Sequence, residues 1–403
     1  MHKLNIVLET VTPLFLGGAN PRGTPELRPA PFRGALRFWL RALLGAHNPN
    51  RKWVRKEEEK VFGSTDRASS IVVRCGDLLS SQIERIDEPA PRRNQINRSY
   101  LFYGLEKRYK NHRNQWRLKY RPSVKVGESL GLTLSCRAGV TSEHAWQCAC
   151  AALWLLTHLG ALGARARRGA GSIQATSSPD GWPEAPFPPL AITAENPDSL
   201  RIELTIGIAA LRQSLGLSKS SGLPALVEFD ILHPSSAQVY VVNRIWSRQE
   251  GWKRVLDDFA KIMGGFRYRY GKDYLTVKAV AGGRASSFQA ERAAFGLPLP
   301  FYFSSTGDKA IVEGEKHDRR ASPLLVRVVR YANEQGYGLV LTYFKAQLIP
   351  DSQLVATQPQ PRGGKKVIGR GPVPGLGLVE TFLQEISSST SRYYLAPLLR
   401  VKL

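Results

Sequence analysis

Gly160-Ala-Leu-Gly-Ala-Arg-Ala-Arg-Arg-Gly-Ala-Gly-Ser172 separates an apolar run, Glu143–Leu159, from a short β-prone segment, Ser172–Ala175. The run spans more than four helical turns and reads as a helix. A helix, a glycine-arginine loop and a closing strand follow one another here. Upstream, Ser70–Arg74, Tyr100–Leu105 and Leu130–Cys136 read as strands. Farther out, Leu4–Val11 reads as a strand and Phe32–Leu44 as a helix that starts at Pro31 and stops at Gly45. The order β-α-β-β-α-β predicts an α+β, ferredoxin-like (split βαβ) unit, the arrangement that RRM domains also use.

This unit covers residues 1–176. A Pro-rich linker, 177–195, follows, with Ser177–Pro189 its densest part. Residues 196–403 repeat the pattern in degenerate form. Val227–Leu232 and Val239–Val242 read as strands. Trp252–Met263 is a helix with Trp252, Val255, Phe259 and Ile262 on one face. Ser322–Val329 and Gly338–Lys345 form a strand pair, and Leu376–Ile386 a last helix after a flexible run, Gln358–Gly371. The tail is basic.

Lys and Arg number 57 against 33 Asp and Glu, a net charge of +24. A compact chain tolerates such self-repulsion when a polyanion neutralises it. Nucleic acid and anionic membrane are the common polyanions. Arginines interleaved with Trp, Tyr and Phe suit phosphates and unstacked bases better than lipid. Ala145–Leu162 is the most apolar stretch, but Gln147, Thr157, His158 and Gly160 interrupt it, so it reads as a buried helix. Met1–Leu8 lacks a signal-peptide core, and Cys75, Cys136, Cys148 and Cys150 show no paired metal-ligand spacing. These features predict a cytoplasmic protein with no membrane contact, no metal and no cofactor.

Three stretches are candidates for RNA contact. In the first, Gly163, Gly169 and Gly171 permit positive φ and close backbone approach, while Arg165, Arg167 and Arg168 add charge. A plain helix-to-strand turn with solvated arginines is the alternative. In the second, Arg22 and Arg28 lie on the Gly17–Pro31 loop, and Arg33, Arg37 and Arg41, spaced four apart, stripe the helix that follows. An ordinary solvated helix face explains that stripe equally well. The third, Arg92–Lys125, holds eleven Lys and Arg against one acid, Glu106, with Tyr100, Phe102, Tyr103, Tyr109, Trp116 and Tyr120 woven through it. That mixture suits single-stranded RNA, although Tyr100 and Phe102 share a strand face and belong to the core. Arg267 and Arg269, in Phe266-Arg-Tyr-Arg-Tyr270, repeat the theme, and Arg319 and Arg320 complete the set.

Catalytic signals are sparse. The seven histidines are scattered. His47 could act as general base on a 2′-hydroxyl, but a lone histidine is usually inert. Asp66 and Asp318 sit beside arginines and suit surface ion pairs better than metal. No catalytic residue is assigned.

The run Thr12-Pro-Leu-Phe-Leu-Gly-Gly18, then Thr24-Pro-Glu-Leu-Arg-Pro29 and Phe32-Arg-Gly-Ala-Leu-Arg-Phe-Trp39, resembles the opening of one RAMP-superfamily group. That group is the first-named, head subunit of the type III-B CRISPR effector, the Cmr complex. Phe62-Gly-Ser64, Leu162–Ser172, Ala294-Phe-Gly-Leu-Pro298 and Arg319-Arg-Ala-Ser-Pro-Leu324 carry the resemblance across residues 1–345. It implies two ferredoxin-like RAMP domains and a place at the head of the filament, near the 3′ end of the guide RNA. It also implies contact with the backbone RAMP subunit and a companion head subunit, and help in capturing target RNA for antiviral defence. Ala170 stands where the group is expected to carry an aromatic residue. Related backbone subunits cut target RNA with an aspartate in the loop after the first strand, but Leu16–Pro31 here contains Glu26 and no aspartate. The reading is therefore a non-catalytic RNA-binding subunit. A metal-independent RAMP endoribonuclease processing guide RNA through His47, and an assembly protein docking acidic partners, are the alternatives.

Overall fold

The computed structural model describes residues 2–92, 95–139, 142–217, 228–269, 271–332, 336–360 and 363–403. Strand β1 (Lys3–Thr10) alternates strictly, burying Leu4, Ile6 and Leu8. A loop leads to α1 (Pro29–His47), with proline in its first turn, and to α2 (Arg51–Phe62). The Asn50 side chain caps α2 by accepting from the Lys52 and Trp53 amides at 3.0 and 3.2 Å. After β2 (Ile71–Cys75) the chain makes an excursion through β3 (Ile83–Glu84), β4 (Asp87–Pro89), β5 (Glu106–Lys110), β6 (Trp116–Tyr120) and β7 (Ser123–Val124). It returns in β8 (Ser129–Cys136), α3 (Glu143–His158) and β9 (Ile173–Ala175). The main sheet has the order β2-β8-β1-β9 with antiparallel neighbours throughout. The excursion folds as a separate ribbon, β4-β6-β5, with β3 pairing β7.

Helix α4 (Pro197–Ser214) opens the second half, followed by β10 (Ala237–Val242), α5 (Gly251–Tyr268) and α6 (Gly271–Ala281). Next come β11 (Leu299–Tyr302), β12 (Lys309–Gly314), β13 (Leu324–Arg330) and β14 (Tyr337–Phe344). Then follow β15 (Gln353–Pro359), β16 (Lys365–Pro372), α7 (Gly377–Ser387) and β17 (Leu398–Val401). Its main sheet runs β13-β14-β10-β17, again antiparallel. With α5 after β10 and α7 after β14, this sheet repeats the element order and neighbour order of the first. A further sheet, β11-β12-β15-β16, is inserted in two pieces and packs with α6 on its own core of Val277, Phe303, Val312 and Leu354.

The halves are joined by buried apolar surface and by polar staples. Leu200, Leu204 and Ile208 of α4 pack in one cluster with Trp154 of α3 and Val239 of β10. The Pro-rich segment contributes Phe187 and Leu190 to that cluster, and the Trp154 indole donates to the Pro189 carbonyl at 3.0 Å. Edge strands β9 and β13 face each other. The Val328 amide donates to Ser172 Oγ and the Arg330 amide to Gln174 Oε1, both at 3.2 Å. Arg327, fully buried, donates to the carbonyls of Gly160 and Ile173.

Several expected elements differ. Tyr100–Leu105 is a tight turn, not a strand: Asn97 caps it, and Arg98 clamps it onto α5 through Asp257 at 2.8 and 3.0 Å. Of the expected strand Val227–Leu232, Val227 lies outside the described residues and residues 228–232 form no strand; Asp230 there pairs with Arg167 and Arg320. The expected flexible run Gln358–Gly371 includes β16, which pairs along β15. There Gly371 lies so close to the Phe288 carbonyl that a Cβ would stand 2.5 Å away.

Candidate nucleic-acid interface

The loop after α3 is held against the first half by backbone hydrogen bonds. Gly171 donates to the Pro13 carbonyl at 3.0 Å, and Ala164 to the Phe15 carbonyl at 2.9 Å. Gly171 has φ +66°, and a Cβ there would stand 1.9 Å from the Leu162 oxygen. Likewise a Cβ on Gly163 would meet the Phe15 oxygen at 2.6 Å, and one on Gly169 would meet Leu256 of α5 at 2.5 Å. The glycines expected to admit a phosphate therefore admit this chain's own backbone and α5. Ala170 is fully buried, so no side chain at that position could stack on a base.

The arginines of the loop have separate fates. Arg167 pairs with Asp230 at 2.7 Å, donates to the Ser322 carbonyl at 2.7 Å, and lies 5.1 Å from the Phe38 ring centroid. Arg320 takes the other Asp230 oxygen at 2.7 Å. Burial pushes the Asp230 carboxyl up, but the two guanidinium groups outweigh it and hold it below its usual range. Arg165 has left-handed backbone and is exposed, donating to the Tyr103 carbonyl, with the Glu106 carboxylate nearby. Arg168 is half-buried and makes no ion pair or side-chain hydrogen bond among the described residues. Burial and the neighbouring Arg267 lower it to about 10.

Arg267 lies on α5 and is 8% exposed, and its Nε has no partner among the described residues. Its guanidinium is 5.8 Å from the Tyr100 centroid and 5.4 Å from that of Phe295. Arg269 pairs with Glu385 at 3.2 Å, and Arg319 is exposed.

The arginine stripe on α1 turns inward. Arg37 and Arg41 each reach buried Glu58 of α2 at 2.9 Å, and Arg37 also donates to the Phe62 carbonyl at 2.9 Å. Arg33 is half-buried with its Nε unpartnered. Arg28 donates to the Gly17 carbonyl at 2.9 Å, and Arg22 is exposed. Nearby, His47 rests against Trp53 with ring centroids 5.9 Å apart.

The ribbon adds residues that were noticed but not assigned. Trp116 is 49% exposed near its tip, with Arg108 at 5.0 Å and Lys110 at 5.3 Å from its ring centroid. Lys107 stands opposite Lys119, a like-charge pair that disfavours the sheet in isolation. Asp87 braces the other edge, accepting from Tyr109 Oη at 2.5 Å and from Arg117 Nε at 2.6 Å. Leu118 and Tyr120 anchor the base in the core with Phe102. The alternation along Trp116–Tyr120 was readable, but the pairing with β5 across a turn was not. Among the described residues no cluster of three or more His, Cys, Asp or Glu could hold a metal, and no helix is long and apolar enough to cross a membrane.

Residues 7–174 match the model of the RAMP superfamily. The chain is 34% identical over 183 residues to the CRISPR system Cmr subunit Cmr1-2 of Pyrococcus furiosus, covering 43% of this chain and 95% of that one. It belongs to the RAMP superfamily. Within that superfamily it is homologous to the Cmr1 subunits, because Cmr1-1 of the same organism is also 25% identical over 348 residues, 85% of this chain and 88% of that one. The apo crystal structure of Pyrococcus furiosus Cmr1 shares the fold, with a TM-score of 0.54 and 22% identity over 87% of this chain and 90% of that one.

Proposed function

We propose that this chain is the Cmr1-type RNA-binding subunit of a type III-B CRISPR ribonucleoprotein, and that it performs no cleavage itself. The observation that carries the reading is a patch of cationic groups in which Arg168 and Arg267 make no ion pair among the described residues and only Arg165 has a carboxylate, Glu106, nearby. Arg165, Arg168 and Arg267 lie beside a ribbon whose exposed Trp116 carries Arg108 and Lys110 on its ring. Guanidinium groups neutralise phosphates while the indole stacks on an unpaired base. Each repeated β-α-β-β-α-β sheet is read as a ferredoxin-like RAMP domain, the first over residues 1–176 and the second over 196–403. By homology the subunit takes the head position at the 3′ end of the guide RNA, next to the backbone RAMP subunit and a companion head subunit, in the cytoplasm. From there it helps to capture target RNA.

The test is retention of labelled single-stranded RNA by the purified chain, with and without Mg²⁺, across a salt series. Retention of intact RNA that weakens steeply with salt is expected. Cleavage abolished in His47→Ala would overturn the non-catalytic reading. Salt-insensitive or absent retention would favour acidic protein partners instead.

A further inference from the structure

Arg267 presents an unsolved electrostatic problem. A guanidinium is always charged and carries five in-plane donors. Here it is 8% exposed, with Nε unpartnered and no ion pair or side-chain hydrogen bond among the described residues. The Tyr100 and Phe295 rings stabilise the cation, but π-faces leave the buried Nε–H donor unsatisfied. Half-buried Arg168 also makes no ion pair among the described residues, and the loop that carries it packs on α5, where a Cβ on Gly169 would meet Leu256 at 2.5 Å, so the two charges repel. Elsewhere the fold meets such groups from within: Asp230 neutralises Arg167 and Arg320, and the carbonyls of Gly160 and Ile173 accept from fully buried Arg327.

We infer that Arg168 and Arg267 together form a subsite for one backbone phosphate of single-stranded RNA, with Arg267 at its floor and Arg168 at its mouth. The inference rests on the RNA-binding reading above. Two guanidinium forks supply donors to both non-bridging oxygens, and a phosphodiester supplies the missing charge. The mouth opens toward Arg165, which is tied to the Tyr103 carbonyl at the root of the ribbon. Arg168 belongs to the loop of the first half and Arg267 to α5 of the second, so a bound phosphate bridges them. Occupancy should then stabilise the whole chain. A partner's carboxylate could offer the same charge, but it would lack the stacked bases that the exposed indole and its flanking cations suit.

The experiment uses the full chain, with inorganic phosphate and a uridine dodecamer as separate probes, and the variants Arg267→Met and Arg168→Met. Without ligand, each variant is expected to melt no lower than the unsubstituted chain, because a repelling charge is replaced by an apolar side chain. Each should lose the melting shift given by phosphate, bind the RNA at least tenfold more weakly, and show a salt slope lower by about 0.7. A lower melting point with unchanged RNA affinity in both variants would make the pair structural and overturn the subsite. Normal RNA binding and slope in both would also overturn it while leaving the RNA-binding reading intact. If the unsubstituted chain bound no RNA but kept a phosphate shift that Arg267→Met abolished, RNA as the occupant would be overturned in favour of a protein carboxylate.

Discussion

Arg167 and Arg168 are neighbours in the chain and opposites in the fold. The first is held by Asp230, by the Ser322 carbonyl and by the Phe38 ring, and stitches the loop to the second half. The second finds no carboxylate and faces another arginine. The same division separates Arg320 from Arg319, and Arg41 from Arg33. Basic composition therefore serves two purposes here, and only the counter-ion tells them apart. An arginine whose charge is already met within the chain contributes to stability. One with neither a counter-ion nor a carbonyl acceptor within the chain is available to a polyanion.

The comparison breaks most visibly at Asp230. Asp230→Asn leaves two partly buried guanidinium groups facing each other, and should cost about 3–5 kcal/mol in chemical denaturation. RNA affinity per folded molecule should be unchanged, and a large loss of affinity would erase the distinction between the two classes. Acid should do the same more gradually. The Asp230 carboxyl titrates below its ordinary value, so its contribution is complete above about pH 4 and is lost as pH falls through the lowered folded value. The unfolding midpoint of the unsubstituted chain should fall over that range more than that of Asp230→Asn.

Trp116→Ala should move the opposite observable. RNA binding should weaken by about 1–3 kcal/mol for the lost stacking, while the denaturation midpoint shifts by no more than about 0.5 kcal/mol of stability. The smallest effect is expected at Arg319. Arg319→Ala should leave stability within about 0.5 kcal/mol and reduce the salt slope of RNA binding by about 0.7, whereas Arg320→Ala should lower stability and leave the slope alone.

Much of the first half was legible because its elements carry clean periodicity. Leu4, Ile6 and Leu8 alternate along β1, and α3 is apolar on every face because both halves cover it. Helix α2 was missed because Arg51–Phe62 is dominated by charge and buries only Val54, Glu58, Val61 and Phe62. Its role depends on Glu58, which reaches Arg37 and Arg41 across to another helix, so no spacing rule along the chain announces it. The inserted sheet was missed for a related reason: its two pieces, β11–β12 and β15–β16, are separated by β13 and β14 and make sense only when paired.

The sequence by itself determined the strongly basic balance, the repeated succession of strands and helices, and the glycine-arginine loop with its RAMP motifs. These follow from composition and from periods of two and 3.6 residues, which are local properties. Only the tertiary structure decided which arginines are spent and which are free, because a counter-ion is found by proximity in space. Asp230 lies 63 residues from Arg167 and 90 from Arg320 along the chain, yet within 2.7 Å of both. Arg267 comes from α5 and Arg168 from the loop of the first half, neither with an ion pair among the described residues, and that arrangement turns an ordinary helix residue into the floor of the proposed site.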